Sequence, residues 1–180
     1  MQLIILAAGR GSRLKSVTKF KPKCMANVNK LPIIEYLTDK FYLFNEVIVI
    51  TGYKSKVIEN YFRNENIKFI KNKIFLYTNM VYSLFKSIKK IKEDVVIVYG
   101  DIIFDKKILI NLKNKPGDVL PLNVNWLAFW KKRMPYNLII KDAENIILKK
   151  SKVVSIGEKL EDKLPKMQFM GIIKLKKIHF

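Results

Sequence analysis

The hydrophobic pattern along the chain changes period several times. Residues 2–7, QLIILA, form a continuous apolar run, as expected of a strand covered on both faces. From Pro32 to Phe44 the apolar Ile33, Ile34, Leu37, Phe41 and Phe44 fall on one helical face, and Pro32 suits the first turn. EVIVIT (46–51) reads as a second buried strand, Ser55 to Phe62 as a short helix, and NIKFIKN (66–72) as a third strand. Asn79 can cap a helix from Met80 to Ile91, and Asp105 suits the N-cap of another. DVVIVYGD (94–101) is a fourth strand that ends in an acid.

Strands alternating with helices argue for an α/β chain, a Rossmann-like open, mostly parallel sheet flanked by helices. After Gly117 the pattern shifts to short β-like pieces: DVLPLNV, NLIIK, NIILKK, KVVSIG and MQFMGIIKL. They read as a β-rich extension carried on the same sheet. The expectation is one domain over residues 1–180, with parts at 1–116 and 117–180, and no repeat or low-complexity linker.

Composition narrows this picture. Eleven Phe, eight Tyr and 49% apolar residues exclude a disordered chain. No apolar run reaches the roughly 18 residues that cross a bilayer. LIILAA lacks the flanks of a signal peptide, and a single cysteine fits a reducing compartment. A soluble, cytoplasmic protein is expected, with no membrane partner. The net charge of +20 invites an anionic partner. Its lysines, however, are scattered singly or in pairs from Lys15 to Lys177, without the interleaved aromatics of a single-strand platform. That favours dispersed surface charge plus a local phosphate site over a specific nucleic-acid partner.

The phosphate site has an address. In open α/β sheets the ligand crevice lies beyond the carboxyl ends of the strands. LAAGRGSRL places Gly9 and Gly11 there, directly after the first strand. Glycines let backbone N–H groups approach phosphate oxygens. A dinucleotide fingerprint would need glycine where Leu14 stands, and no Walker string exists. Arg13 remains, with Lys15, Lys21 and Lys23 near it, and a polyphosphate needs both guanidinium and ammonium neutralisation. The alternative is an ordinary strand-to-helix turn with solvated basic residues.

LAAGRGSRL followed by KPK resembles the signature of nucleotidyltransferases that join a nucleoside triphosphate to a phosphorylated metabolite. PIIEYLTDKF and VIVITGYK are similar to the helix and second strand of that family. TNMVYSL, the acid of YGD, and WLAFWKKR, KDAENI, VSIGEK and QFMGIIKL resemble one branch. Its members are cytidylyltransferases for phosphocholine, 2-aminoethylphosphonate and compounds such as phosphoglutamine.

The resemblance implies a Mg²⁺-dependent transfer of CMP from CTP to a small phosphorylated or phosphonate acceptor, with release of pyrophosphate. Leu6, Ala7, Ala8, Gly9, Gly11 and Ser12 would then line the nucleotide, together with Gly100. Arg13 would hold the β- and γ-phosphates, and Lys23 would stabilise charge on the α-phosphate. Asp101 would hold the metal, and Asn79 and Ser83 match polar positions near base and ribose, with capping and helix-face duties as the alternative. His179 and Cys24 need play no part, because an acceptor phosphate is already ionised.

For the acceptor, Trp126 and Trp130 stand four apart, with Tyr136, Asp142 and Glu144 behind. Aromatic faces and carboxylates suit a substituted ammonium, whereas tryptophans at helical spacing also suit a core. Arg133 would meet the acceptor's phosphate or pair with Glu144, and Asn123 stands where this branch would have an aspartate. The tail ends without the late aspartate that completes the metal site in relatives. Glu158 or Asp142 would have to substitute, or the chain would be truncated or an inactive nucleotide-binding protein. Apolar surface left uncovered there would favour a homodimer. A sugar-1-phosphate nucleotidyltransferase shares the opening loop and is the competing enzyme reading.

Overall fold

The computed structural model describes residues 1–158, 160 and 164–180. Strand β1 (Gln2–Ala7) leads into an exposed loop and a 3₁₀ segment, Ser12–Thr18. A second 3₁₀ turn, Lys23–Met25, precedes a small hairpin of β2 (Asn27–Val28) and β3 (Leu31–Pro32). The helix expected next forms as a 3₁₀ helix over Ile33–Leu43, so its inner row repeats every three residues. Of the expected face, Ile34, Leu37 and Phe44 are buried and Ile33 and Phe41 half-buried, and the inner row Ile34, Leu37 and Lys40 buries a lysine as well. Lys40 is tolerated in that row because its ammonium donates to the Tyr36 carbonyl and pairs with Asp39.

Strand β4 (Glu46–Thr51), helix α1 (Ser55–Tyr61) and strand β5 (Ile67–Lys71) follow as expected. The helix predicted from Met80 to Ile91 is shorter: α2 (Met80–Phe85) ends where the Ser87 hydroxyl donates to the Leu84 carbonyl at 2.6 Å, and a 3₁₀ turn at Ile88–Lys90 continues the chain. Strand β6 (Val95–Tyr99) leaves Gly100 and Asp101 in the turn beyond it. Asp105 caps α3 (Lys106–Asn114), accepting from the Lys107 amide at 2.8 Å.

In the second half only Leu122–Asn123 of DVLPLNV is a strand, β7, and it is followed by α4 (Trp126–Lys131). NLIIK is not a strand but lies in α5 (Tyr136–Asp142). Pro135 presets the φ of a helix entry, and Ile139 and Ala143 then fall four apart against Trp126. β8 (Asn145–Lys149) and β9 (Lys152–Glu158) pair with each other through a tight turn in which Lys150 and Ser151 have φ of 48° and 61°. They form their own two-stranded ladder, as do β7 and β10 (Gln168–Phe169). Gly171, at φ 81°, separates β10 from β11 (Ile172–Leu175), so MQFMGIIKL is two strands rather than one. Among the described residues β11 is the one strand of these later pieces that joins the main sheet, and Val119 of DVLPLNV adds a single antiparallel bridge to it at Lys174.

That sheet runs β11-β6-β1-β4-β5, parallel except for β11. The sheet is thus mixed, mostly parallel and flanked by helices. Burial of β1, β4 and β6 on both faces explains their unbroken apolar runs. Ile4, Ile48, Ile50 and Ile97 pack with Ile91 and Leu84 on one face, while Leu3, Ile5, Val47 and Val49 alternate to the other. β11 is secured by buried Lys174, whose ammonium donates to the Lys115 carbonyl at 2.5 Å, just past α3. The chain divides into two compact units: residues 1–119 with 171–180, and residues 120–170. The second has its own core of Trp126, Ile139 and Ala143. Among the described residues no helix is long and apolar enough to cross a membrane.

Candidate active site

The order β6-β1-β4-β5 puts the topological reversal between β1 and β6, and ligands of open α/β sheets bind at such a point. At the carboxyl end of β1 the carbonyl of half-buried Leu6 accepts from the Gly100 amide at 3.0 Å. A Cβ on Gly100 would stand 3.1 Å from that of Ala7, so glycine lets the two strand ends close up. Ala7 and Ala8 are buried. Gly9 is exposed with open space beside it, as an approach to phosphate requires. Gly11 lies in the left-handed region at φ 72°, and a Cβ there would fall 2.5 Å from Lys23 Cβ. Glycine therefore serves twice at this position, allowing the turn and admitting the Lys23 stem.

Lys23 crosses to the neighbouring strand end and pairs with Asp101, whose side chain is one-quarter exposed. Two residues 78 positions apart in the chain, singled out for phosphate and metal, thus meet at the reversal. Ser12 and Arg13 are exposed in the 3₁₀ segment behind the loop. Cys24 is 3% exposed, and burial, aided by the Asp101 charge, pushes its thiol up to about 12. It is a neutral core residue at physiological pH and no nucleophile.

Asn79 caps α2, its side-chain oxygen accepting from the Tyr82 amide at 3.0 Å. The buried Ser83 hydroxyl donates to the Asn79 carbonyl at 3.2 Å and accepts from Asn72 Nδ2 at 3.0 Å. Both side chains are occupied by the local fold. Asn72 fixes the Ser83 hydroxyl to the turn before α2, since it also binds Thr78 Oγ1 and receives the Ile74 amide. Sequence reasoning missed it, because an asparagine just after a strand is an ordinary turn residue. Tyr53, just after β4, was also passed over: its amide donates to the Ala8 carbonyl at 3.0 Å. Its only signal was the TGYK string itself.

In residues 120–170, Trp126 is 2% exposed and donates from Nε1 to the Pro165 carbonyl at 3.1 Å. Trp130 meets it edge to face at 5.2 Å, and the exposed Arg133 guanidinium lies over the Trp130 ring at 4.7 Å. Tyr136, Asp142 and Glu144 are exposed, and the Glu144 carbonyl accepts from Gln168 at 2.6 Å. Asn123 lies in β7, its side-chain oxygen accepting from the Asn125 amide. Lys159 of VSIGEK lies outside the described residues.

Residues 3–119 match the model of the MobA-like NTP transferase domain family. A CTP:phosphoglutamine cytidylyltransferase of Campylobacter jejuni is 33% identical over 97% of this chain and 72% of that protein. A D-glycero-alpha-D-manno-heptose 1-phosphate guanylyltransferase of the same organism is 37% identical over 58% of this chain and 49% of its own length. Among solved structures, the inositol-1-phosphate CTP transferase from T. maritima superposes with a TM-score of 0.75 at 20% identity, over 98% of this chain and 71% of that one. The CTP:phosphocholine cytidylyltransferase from Streptococcus pneumoniae gives 0.66 at 19%, over 97% and 70%. These two share the fold. A glycine-bearing loop at the sheet reversal, a lysine and an aspartate brought together beside it, and a family match over most of the chain lead to one conclusion: the protein is a nucleotidyltransferase of the MobA-like NTP transferase domain family.

Proposed function

We propose that the protein transfers CMP from CTP to a small amino-phospho acceptor of the phosphoglutamine or phosphocholine type. The observation that supports this most is the meeting of Lys23 and Asp101, with the Lys23 stem packed against Gly11 of the loop. An acceptor oxygen attacks the α-phosphorus, the bond to the bridging oxygen breaks, and pyrophosphate leaves with both of that bond's electrons. Lys23 faces the α-phosphate and offsets charge as the new bond forms. Arg13 holds the outer phosphates, and main-chain groups of Ala8, Gly9, Gly11 and Ser12 enclose them. Leu6, Ala7 and Gly100 form the floor, with Asn79 and Ser83 keeping the wall at α2 in place.

Asp101 fits a magnesium site: it is a part-exposed carboxylate beyond a strand end, and Mg²⁺ commonly takes one or two carboxylates with phosphate oxygens completing its shell. Among the described residues no group of three acidic, His or Cys side chains forms a denser cage. When bound, the ion would supply charge neutralisation at the phosphates. Trp130, Arg133, Tyr136, Asp142 and Glu144 are assigned to the acceptor, Arg133 to its phosphate and the carboxylates to its amino end, with Trp126 as the packed base beneath Trp130. The cytosine preference rests on the 33% identical cytidylyltransferase relative. The guanylyltransferase relative favours a second reading, transfer to a sugar 1-phosphate.

The test is pyrophosphate release with Mg²⁺, four nucleoside triphosphates being crossed with phosphoglutamine, phosphocholine, phosphoethanolamine, aminoethylphosphonate and glucose 1-phosphate. Release with CTP and an amino-phospho acceptor is expected. Release with a sugar phosphate alone selects the second reading, and CTP binding without release in any pairing makes the chain a nucleotide-binding protein.

A further inference from the structure

We infer that Tyr53 is a positioning residue that latches both ends of the phosphate loop. The assignment rests on the proposed role of residues 8–19 in holding a triphosphate. That loop is exposed from Gly9 to Lys19 except at Gly11 and Thr18. Inside it, the Thr18 hydroxyl donates to the Gly11 carbonyl at 3.1 Å, and Lys15 is held in an uncommon conformation at φ 43°, ψ −108°. A loop with so little burial needs anchorage from elsewhere to keep one shape.

Tyr53 supplies it from the end of β4 through three contacts. Its amide donates to the Ala8 carbonyl at 3.0 Å, where the loop begins. Its phenolic hydroxyl donates to the Lys19 carbonyl at 2.8 Å, where the loop ends. Its ring carries the Arg10 guanidinium at 5.4 Å, between the two. The ring is itself set by an edge contact with Phe75 at 6.0 Å. Gly52 lets the strand approach this closely, since a Cβ there would lie 2.6 Å from the Ala8 carbonyl oxygen. No chemistry is assigned to Tyr53. It touches the loop's backbone at both ends, so its effect is on nucleotide affinity rather than on the chemical step.

Tyr53→Phe removes the Lys19 contact alone and keeps the ring. Limited trypsin digestion reads the loop directly, because Arg10, Arg13, Lys15 and Lys19 all offer cleavage sites, identified by mass spectrometry. With no nucleotide present, cleavage at these sites is expected to rise about fivefold, the equilibrium weight of one hydrogen bond, while the global melting temperature falls by no more than about 2–4 °C. In turnover, KM for CTP rises by a similar factor and kcat stays within about twofold, the signature of lost ground-state binding. Wild-type cleavage and wild-type KM in Tyr53→Phe would overturn the latch, as would a fall in kcat at constant KM. If CTP fails to protect the wild-type loop from trypsin, the nucleotide reading of the loop fails. The digestion without nucleotide still judges the latch.

Discussion

The loop after β1 and the helix pair α4–α5 present opposite arrangements of residues that both suggested binding. In the loop, the basic residues are exposed and held in place by others: Tyr53 at both ends, Thr18 within, and Gly11 against the Lys23 stem. In the helix pair, one of the two tryptophans is consumed by packing, with Trp126 at 2% exposure among Ile139, Ala143 and Leu127. Trp130 and Arg133 keep partly or fully exposed surface above it. A residue type indicates which chemistry is available. Burial decides whether it can be used.

The contrast can be broken most forcefully at Trp126. Trp126→Ala is expected to destabilise residues 120–170 by about 3–5 kcal/mol, the usual cost of an aromatic cavity, read by urea unfolding. Trp130→Ala should cost clearly less, because that ring is only half buried. Equal losses would mean that the two tryptophans form one indivisible core.

Lys23→Ala tests the other region, where function rather than stability should fail. Pyrophosphate release is expected to fall at least 10²–10³-fold, as when one preorganised charge stabiliser is lost, with unchanged unfolding. Unchanged turnover would overturn the role given to Lys23. Asp101→Asn should separate the metal from the lysine: Mn²⁺ binding, followed by electron paramagnetic resonance in the presence of CTP, should weaken while the fold persists.

Gly52→Ala gives a smaller effect that touches both stability and site. Its Cβ would meet the Ala8 carbonyl oxygen at 2.6 Å and Phe75 Cβ at 2.8 Å, so a loss of about 1–3 kcal/mol is expected together with a raised KM for nucleotide. The smallest change is Thr51→Val. Thr51 Oγ1 is buried without a hydrogen-bond partner among the described residues. Replacing it by a methyl of similar shape should stabilise the protein by about 1 kcal/mol, measured by thermal unfolding, without affecting turnover.

Much of the fold was legible because its signals are local. The runs 2–7, 46–51 and 95–99 are apolar without alternation, and only a strand buried on both faces needs that. Asn79 and Asp105 announced their helices through capping, which depends on residues two or three positions away. The errors came where tertiary packing outweighed local preference. The run Leu138–Ile139–Ile140 reads as strand, yet only Ile139 is buried, and its partner is a tryptophan thirteen residues earlier. Lys40 entered a buried row because a 3₁₀ helix repeats every three residues and two oxygens were within reach of its ammonium.

The sequence by itself determined the parallel sheet and the position of the glycine loop at the carboxyl end of its first strand. The loop's position follows from a pattern spanning about ten residues, and the sheet from the alternation of apolar strand runs with helical stretches. It also supplied Lys23 and Asp101 as separate candidates. Only the tertiary structure decided that these two meet, that Tyr53 reaches both ends of the loop, and that Trp126 is core. Each of those facts joins residues 13 to 78 positions apart. Such proximity is set by strand order and by the closure of glycine-lined strand ends, which no single stretch of chain encodes.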